Sequence, residues 1–257
     1  MAPKNHSGIG RGKGRGRKKT ATTAQAQANT QTQTSIPEAK TIAEANQIAV
    51  QLGLAKNVDF TGLDISVANE MIAEMQATRE LFSGLGELEI LGNSRSVENH
   101  MLGRLRNYDA FGIYYPREEW GKSGLQLNLE LFSPSGLPNT LRERQQRIKN
   151  LINPLGCGTA KGTISHEIAH WMDDSLGLHK DTRIVQLFQK YHGDDSFFRR
   201  KGEWLFGNRK MAERLSAVAN TNIGEFIAEA WSEYRNNSSP RPLAKQVGDI
   251  IMTYKRK

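Results

Sequence analysis

The chain of 257 residues carries a formal net charge of +8 and a single cysteine. It has no run of about 18 apolar residues, so no membrane span is predicted. One cysteine excludes an intrachain disulfide and suits a reducing compartment. Seven of the eight net charges come from the first twenty residues, which contain no acid. The basicity therefore belongs to the N-terminus, and the remainder is close to neutral.

Residues 1 to 37 are rich in Gly, Lys and Arg and then in Ala, Thr and Gln, and we expect them to be disordered. They contain too few large apolar residues to offset the entropy lost on ordering. Flexible basic segments bind nucleic acid through its phosphates. The cations available for this contact are Arg11, Lys13, Arg15, Arg17, Lys18 and Lys19. The alternative is a tail that only confers solubility. No apolar segment follows it, so a Sec-type signal peptide is not expected.

The part at 38–92 is predicted to contain two helices and two short strands. Thr41 and Glu44 have the spacing of a capping box, which opens a helix that ends near Leu52. The elements expected after it are a strand at 58–60, a helix at 64–82, a strand at 88–91, and a loop or frayed helix at 94–107.

Two strands are predicted at 110–115 and 125–131, and strict alternation in the second indicates one buried and one exposed face. We expect them to form an antiparallel pair, with an extended substrate adding to the edge of the sheet that contains 125–131. Thr140 and Glu143 suggest a second capping box, which opens a charged helix to about residue 152. Further helices are expected at 163–177, 184–191, 222–234 and 243–254, with an irregular stretch at 193–210.

An H-E-x-x-H motif formed by His166, Glu167 and His170 lies in one of these helices. Residues four apart lie about 40° apart around a helix, so both imidazoles can reach one ion with Glu167 beside it. The opposite helix face is mostly apolar, and Gly177 occupies the position of a C-terminal cap. The pattern therefore predicts a catalytic zinc site rather than two isolated histidines.

A catalytic zinc site needs a third protein ligand. The metzincin pattern would require glycine and histidine at positions 173 and 176, which this chain lacks, so that class is excluded. His179 is expected to point away, because it follows the helix cap by two residues, and His192 has no helical partner. Glu225 and Glu229 share the polar face of an amphipathic helix. One of them can bind the ion while the other, or Asp173, holds an imidazole N–H.

The sequence H-E-x-x-H-x-x-D-D from residue 166 and T-N-x-x-E-F-x-A-E-A-W from residue 221 together resemble a known family. It is the gluzincin-type catalytic domain of anthrax lethal factor and its relatives. The same residues resemble metallopeptidase domains found with phage head-morphogenesis proteins. The similarity covers about residues 155 to 257, with a weak similarity to phage proteins over 41–92. It implies His166, His170 and Glu225 as zinc ligands, Glu167 as general base, and Glu229 supporting the ligands.

The resemblance implies an α+β, zincin-like fold with a small, mostly antiparallel sheet, the H-E-x-x-H helix and a C-terminal helical part. A single domain would then span 38–257, with its metallopeptidase core at 108–257. The implied function is zinc-dependent hydrolysis of a peptide or protein substrate, in a bacterial host cytoplasm or a virion if the chain is phage-encoded. The rival hypothesis is a non-enzymatic, zinc-stabilised virion or nucleoprotein component. No membrane association is expected.

Two positions depart from the family pattern. Ala169 replaces a glycine, and Val218 occupies the place of a catalytic tyrosine seven residues before the ligand glutamate. Loss of one such oxyanion donor typically costs about a hundred- to a thousandfold in rate. The groups that could substitute are Tyr191, His192, Tyr234 and Arg235. Cys157, shortly before the motif, is expected to be an ordinary loop thiol, the alternative being a thiolate on the zinc of a latent enzyme.

Overall fold

The computed structural model describes residues 37–101 and 110–255, and the α+β class expected from the sequence is confirmed. The helices of these ranges are α1 (Ile42–Gln51), α2 (Ile65–Leu81), α3 (Ser94–Met101), α4 (Arg117–Trp120), α5 (Leu129–Phe132), α6 (Leu137–Lys149), α7 (Ala160–Leu176), α8 (Thr182–Tyr191), α9 (Arg209–Arg214), α10 (Ile223–Asn236) and α11 (Pro242–Met252). The strands are β1 (Ala55–Asp59), β2 (Leu88–Asn93), β3 (Gly112–Tyr115), β4 (Gly124–Leu127), β5 (Ser196–Arg200) and β6 (Glu203–Gly207). Single 3-10 turns lie at Leu178–Lys180 and Val218–Asn220.

The larger sheet has the strand order β1-β2-β4-β3. β1 pairs with β2 and β2 with β4 in parallel, and only β3 and β4 are antiparallel. The expectation of a mostly antiparallel sheet was therefore wrong for this sheet. Parallel neighbours need a long crossover connection, and the 17-residue helix α2 supplies it between β1 and β2. The antiparallel pairing expected between the strands that became β3 and β4 is confirmed.

The alternating segment at 125–131 is not one strand. β4 ends at Leu127, and the side chain of Asn128 then accepts the N–H groups of Glu130 and Leu131 at 3.0 and 3.2 Å, which caps α5. All four residues of β4 are buried, so the expected exposed face is absent. The physical reason is that both faces of the sheet are covered at β4: Leu125 and Leu127 lie in the main core, and Gly124 lies against Val97 of α3.

The structure confirms some of the helix ends that the sequence predicts and contradicts others. The capping box of Thr41 and Glu44 is confirmed, and Asp64 caps α2 by accepting the N–H of Ser66. The second capping box was wrong: α6 begins at Leu137, and the Thr140 hydroxyl donates to the carbonyl of Leu131 at 2.7 Å. The stretch at 94–107 starts as helix α3, and its residues after 101 lie outside the described ranges. The stretch expected to be irregular at 193–210 contains the β5–β6 hairpin.

Helix α7, which carries the H-E-x-x-H motif, packs against α2, α10 and β3. Its apolar face is fully buried through Ile164 and Ile168, and Gly177 ends it in the left-handed conformation as expected. The main core runs from Ala39 to Ile251, so the segments 38–92 and 108–257 build it together. In the described ranges, no helix is both long and apolar enough to cross a membrane.

A buried ion-pair network fixes the three helices around the motif. The Glu74 carboxylate, on α2, accepts two hydrogen bonds from the Arg235 guanidinium of α10 at 2.7 and 3.0 Å. The ammonium of Lys161, on α7, lies 3.4 Å from the same carboxylate. Because Glu74 is almost fully buried, removing either cation would leave its charge undercompensated, which is costly. The network therefore holds α2, α7 and α10 at a fixed spacing.

Candidate metal centre

Helix α7 presents both histidines of the motif to one point. The Nε2 atoms of His166 and His170 lie 3.2 Å apart, and the ring planes meet at 74°. This geometry follows from their i, i+4 spacing on one helix face. Both side chains are largely buried, so their polar atoms need partners within the protein.

Helix α10 brings the third donor. Its N-cap, Asn222, accepts the N–H of Glu225 at 2.9 Å, which fixes Glu225 in the first turn. In a reciprocal capping box this glutamate would turn back to the N-cap backbone. Here its two oxygens instead lie 3.2 Å from Nε2 of His166 and 3.6 Å from Nε2 of His170. The side chain is therefore directed at the histidine pair.

The three donor groups have the spacing that one tetrahedral ion requires. Ligand atoms placed about 2.0–2.1 Å from a common tetrahedral centre lie about 3.3–3.4 Å apart. The two Nε2 atoms lie 3.2 Å apart, and the two Glu225 oxygens lie 3.2 Å from Nε2 of His166 and 3.6 Å from Nε2 of His170, so a rotation of this carboxylate would bring one oxygen to the ion. Two imidazoles and one carboxylate also form a donor set that suits Zn²⁺. These residues thus fit a zinc ion without rearrangement of the helices.

Glu229 lies behind His166, one turn along α10 from Glu225. Its Oε1 atom is 2.9 Å from Nδ1 of His166, and its side chain is only 2% exposed. A carboxylate accepts a hydrogen bond from Nδ1–H and so keeps the proton on Nδ1, which leaves Nε2 of the neutral ring as an electron-pair donor. The expected contact between Glu229 and an imidazole N–H is thus present, and it fixes the tautomer that metal binding needs.

Glu167 lies on the cleft side of α7, against strand β3. A Cβ atom at Gly112 would lie 2.7 Å from its Cγ atom, so only glycine lets the strand come this close. The backbone N–H of Tyr114 donates to the Glu167 carboxylate. Burial raises the pKa of Glu167 to about 7, with Glu225 adding to the rise and His166 opposing it. A carboxyl with such a pKa can both accept and release a proton near neutral pH.

The ionisation of the three donor groups reflects their close packing. Burial lowers the pKa of His166, but hydrogen bonds to Glu225 and Glu229 outweigh it and hold the pKa above its usual value. Burial and the neighbouring His166 charge lower the pKa of His170 to about 4. Burial raises the pKa of Glu225, but the hydrogen bond to His166 and the charges of His166 and His170 together outweigh it and bring the pKa to about 2. A divalent cation would replace the proton on His166, because imidazole ligands bind metals in the neutral form.

The three donors and Glu167 open into a cleft of about 620 Å³. Besides these groups, its lining contains four acidic residues: Glu118, Glu119, Asp173 and Asp174. No lysine or arginine belongs to the lining as far as the chain is described. The cleft is therefore electronegative, and a cationic ligand or side chain would be favoured there.

Two predictions around the motif need correction. His179 does not point away, because the Leu178–Lys180 turn after Gly177 folds it back to line the cleft. Asp173 does not support a ligand histidine: its Oδ1 atom accepts from the backbone N–H of His179 at 2.7 Å and lies 2.8 Å from the ring Nδ1. The left-handed Gly177 reverses the chain, and Asp173 then holds the reversed segment.

Tyr114, on β3, is a cleft residue that sequence reasoning missed. Its hydroxyl donates to Asp174 at 2.6 Å, and burial together with this hydrogen bond raises its pKa. Its only sequence signal was its place in an aromatic strand, which gave no indication that the strand would pass beside α7. Its position there results from the antiparallel pairing of β3 on β4 and the packing of β3 against α7.

The four residues named as substitutes for the missing tyrosine all lie outside the cleft lining. His192 donates from Nδ1 to the carbonyl of Asn220 at 3.0 Å, and the Tyr234 hydroxyl lies 3.3 Å from Asp249. Arg235 is paired with buried Glu74, and the Tyr191 ring lies among cationic side chains. None of these four residues is therefore placed to contact a substrate at the centre. Val218 itself lies in a 3-10 turn.

Cys157 is buried away from the cleft, as expected for a thiol with a packing role. The Ser232 hydroxyl donates to the carbonyl of Gly162 at 2.7 Å, so it can accept the S–H of Cys157 at 3.0 Å. Burial raises the pKa of Cys157 to about 12. The guanidinium of Arg144 donates twice to the Cys157 carbonyl, which anchors the segment before α7. This geometry disfavours the zinc-bound thiolate.

The six cations proposed for nucleic-acid binding in the tail, Arg11 to Lys19, lie outside the described residues. Comparison of the chain with models of known protein families, with curated proteins and with solved structures found no match in any of the three.

Proposed function

We propose that the protein is a zinc-dependent peptidase. The observation that carries the proposal is the convergence of three donor groups from α7 and α10 at the mouth of a cleft, with Glu167 beside them. Structural zinc sites are usually closed by four protein ligands, whereas catalytic sites combine three ligands with an open position. A buried carboxyl next to the ion has no use in a purely structural site.

The chain's own groups divide the work in the proposed reaction. Zinc held by His166, His170 and Glu225 would act as a Lewis acid toward a water molecule and the scissile carbonyl. Glu167 accepts a proton from the water as it attacks the carbonyl carbon, and then delivers the proton to the leaving amine as the C–N bond breaks. Glu229 keeps His166 in the tautomer that can bind the ion.

Strand β3 is the proposed site for an extended substrate. It is an edge strand of the described sheet, the same sheet that contains β4, and it lines the cleft. An unpaired edge can bind a peptide by main-chain hydrogen bonds. The acidic lining favours lysine or arginine side chains near the scissile bond, because opposite charges steer and orient the partner.

The oxyanion donor absent at Val218 can be supplied by His179. The ring lines the cleft and is held through Nδ1 by Asp173, while its Nε2 atom has no partner among the described residues. The hydroxyl of Tyr114, the other protic group nearby, already donates to Asp174. A hydrogen-bond donor stabilises an oxyanion most when it is held in position beforehand, and the Asp173 contact would orient His179 in this way.

The test distinguishes the general base from the metal ligand with three glutamate-to-glutamine substitutions. Glu167→Gln retains all ligands, so zinc content should remain and peptide cleavage should nearly vanish. Glu225→Gln replaces a charged ligand with a neutral one, so zinc affinity itself should fall. Glu229→Gln should reduce affinity or activity by about 10–100-fold, as loss of a supporting hydrogen bond usually does. Zinc content is measured by mass spectrometry and cleavage with a peptide library.

Glu143→Gln, an exposed glutamate on α6, is the matched control and should behave like the parent protein. Retained cleavage in Glu167→Gln would refute the proposed mechanism. Full zinc content in Glu225→Gln, at limiting free zinc, would refute the ligand assignment.

The second candidate is a non-enzymatic, zinc-stabilised virion or nucleoprotein component. Val218 favours it, since a centre without its tyrosine can bind an ion and still cleave poorly. A parent protein that holds one zinc and cleaves no peptide of the library would support this candidate. A bacterial cytoplasmic or virion location is likewise part of the proposal, and it rests on the resemblance to phage-associated domains.

A further inference from the structure

The β5–β6 hairpin is a second candidate functional surface. Its two-residue turn has positive φ at Lys201 and Gly202, 48° and 91°, as a type I′ turn requires. One face of the hairpin is anchored, because Phe198 is buried in a small cluster with Leu151 and Ala212. A two-stranded sheet needs such packing to be stable in water. The opposite face is therefore held in a defined position.

The outer face carries two exposed aromatic rings. Phe197 and Phe206 are directly opposite in the strand register and are 71% and 59% exposed. Their ring centroids lie 5.0 Å apart, so the rings form one patch. In the described part of the chain they are the two most exposed large apolar side chains. An exposed aromatic pair on a rigid support is typical of an interaction site.

Positive charge lies toward the turn end of this patch, whereas the exposed Asp194 and Asp195 precede β5 at the open end. Arg199 lies on the same face as Phe197, since side chains two apart in a strand share a face. Arg199 and Lys201 are exposed, and neither forms an ion pair within the described residues. Glu203 is the single acid of the hairpin, against three cations. The surface is thus available to an anionic partner.

A second group of cations lies around Tyr191, the last residue of α8. α9 begins two residues after β6, and its Lys210 and Arg214 lie 5.5 and 5.2 Å from the centroid of the Tyr191 ring. Lys190 lies 5.2 Å from the same centroid. None of the three cations is within ion-pair distance of a carboxylate in the described ranges, so their charge is not neutralised locally.

We propose that the outer face of the β5–β6 hairpin binds single-stranded nucleic acid. Unpaired bases would stack on Phe197 and Phe206, and phosphates would contact Arg199, Lys201 and the cations around Tyr191. Single-strand-binding surfaces combine such stacking platforms with a positive groove. The surface is distinct from the metal cleft and from the N-terminal tail, and binding there does not require peptidase activity.

The arrangement of the hairpin disfavours an anionic membrane as the partner. Membrane-inserting elements place apolar side chains at the tip, but here the tip is Lys201–Gly202 and the two aromatic rings lie near the open end of the strands. Duplex nucleic acid also fits poorly, because its bases are already stacked and cannot cover the rings. The unpaired cations argue against a purely apolar protein partner.

The test uses the full chain with an oligothymidylate of about 12 nucleotides and a duplex of equal length, at about 200 mM salt to reduce the tail's contribution. The double variant Phe197→Leu/Phe206→Leu retains apolar bulk but removes the aromatic faces. Fluorescence anisotropy should show at least about a fivefold loss of affinity for the single strand, and none for the duplex. For Arg199→Ala/Lys201→Ala, the slope of log affinity against log salt concentration should become less steep by about 1.4, because two phosphate contacts are lost.

Val50→Ala, which alters another exposed apolar residue, is the matched control and should leave both affinities unchanged. Thermal unfolding verifies that the variants fold, and Phe197→Tyr/Phe206→Tyr, which retains aromatic faces, should restore single-strand binding. Unchanged single-strand affinity in the leucine variant, or equal losses for both nucleic acids, would overturn the proposal. The leucine variant is also tested with phosphatidylserine-containing vesicles, and a loss of affinity for the vesicles alone would likewise overturn the proposal.

Discussion

At the residue scale, the proposed oxyanion donor His179 is the first group to test. His179→Ala should leave zinc content unchanged and lower kcat by about a hundred- to a thousandfold, with a smaller effect on KM. The reason is that such a donor acts mainly in the transition state. Steady-state kinetics with a cleaved library peptide measure the two parameters separately.

His192→Ala is the control for His179, because the His192 ring lies outside the cleft lining and binds the Asn220 carbonyl. Its kcat should equal that of the parent protein. Equal losses in both variants would indicate a general loss of structure, and an unchanged kcat in His179→Ala would remove the proposed role.

Cys157 provides a second prediction at this scale. The thiol is buried, has a pKa raised to about 12 and is hydrogen-bonded to Ser232, so it should resist a thiol reagent in the native protein. It should react at once in denaturant. Labelling is followed by absorbance, with and without a zinc chelator at a temperature where the chain stays folded. Fast labelling only after chelation would instead support a thiolate bound to the ion.

At the element scale, Asp181 joins the start of α8 to the C-terminal segment. Its carboxylate accepts the N–H of Arg183 at 2.9 Å, pairs with the Arg183 guanidinium, and accepts the hydroxyl of Tyr254 at 2.9 Å. These hydrogen bonds, the side chain of Arg183 first, hold the pKa of Asp181 below its usual value. The group therefore stabilises the fold above its unfolded pKa of about 3.9, and this contribution is lost as pH falls through the lower folded pKa.

Asp181→Ala should cost about 0.5–2 kcal/mol at neutral pH, as N-cap removal usually does. Asp181→Asn keeps a capping oxygen and should cost less. Urea unfolding at pH 7 and at about pH 2 measures both differences in the free energy of unfolding. They should narrow in acid because Asp181 of the unfolded parent chain is then protonated, whereas the folded chain resists protonation. A difference for Asp181→Ala that stays constant with pH would show that the charge contributes nothing.

At the scale of the whole molecule, the proposed ion connects α7 to α10, the two helices at the centre of the core. A ligand that binds only the folded state at 100 times its Kd adds about 2.7 kcal/mol of stability. For a domain of this size, removal of zinc should lower Tm by roughly 5–10 °C. Calorimetry before and after chelation measures the shift, and re-addition of zinc should reverse it.

His170→Ala is the matched control for chelation, because it loses one ligand and should bind zinc weakly. Its Tm should be nearly insensitive to the chelator. A parent Tm that does not change on chelation, or an equal shift in the variant, would contradict a zinc ion at this centre.

The sequence alone determined the features that depend on near neighbours along the chain. The i, i+4 spacing of His166 and His170 on a helix was enough to predict that their rings would converge, since a helix fixes that geometry. The polar face of α10 likewise placed Glu225 and Glu229 one turn apart. The capping box at Thr41 and the cap at Gly177 are local for the same reason.

Only the tertiary structure decided which elements meet. The alternation in β4 predicts a half-exposed strand, because it does not reveal that other elements cover both faces of the sheet. The parallel pairing of β1 with β2 likewise depends on a crossover through α2. Tyr114 and His179 reach the cleft through strand pairing and a chain reversal, neither of which leaves a periodic signal. The Lys201–Gly202 turn by itself does not specify a stable hairpin, because an isolated two-stranded sheet is only marginally stable. The packing of Phe198 in a buried cluster supplies the additional stability.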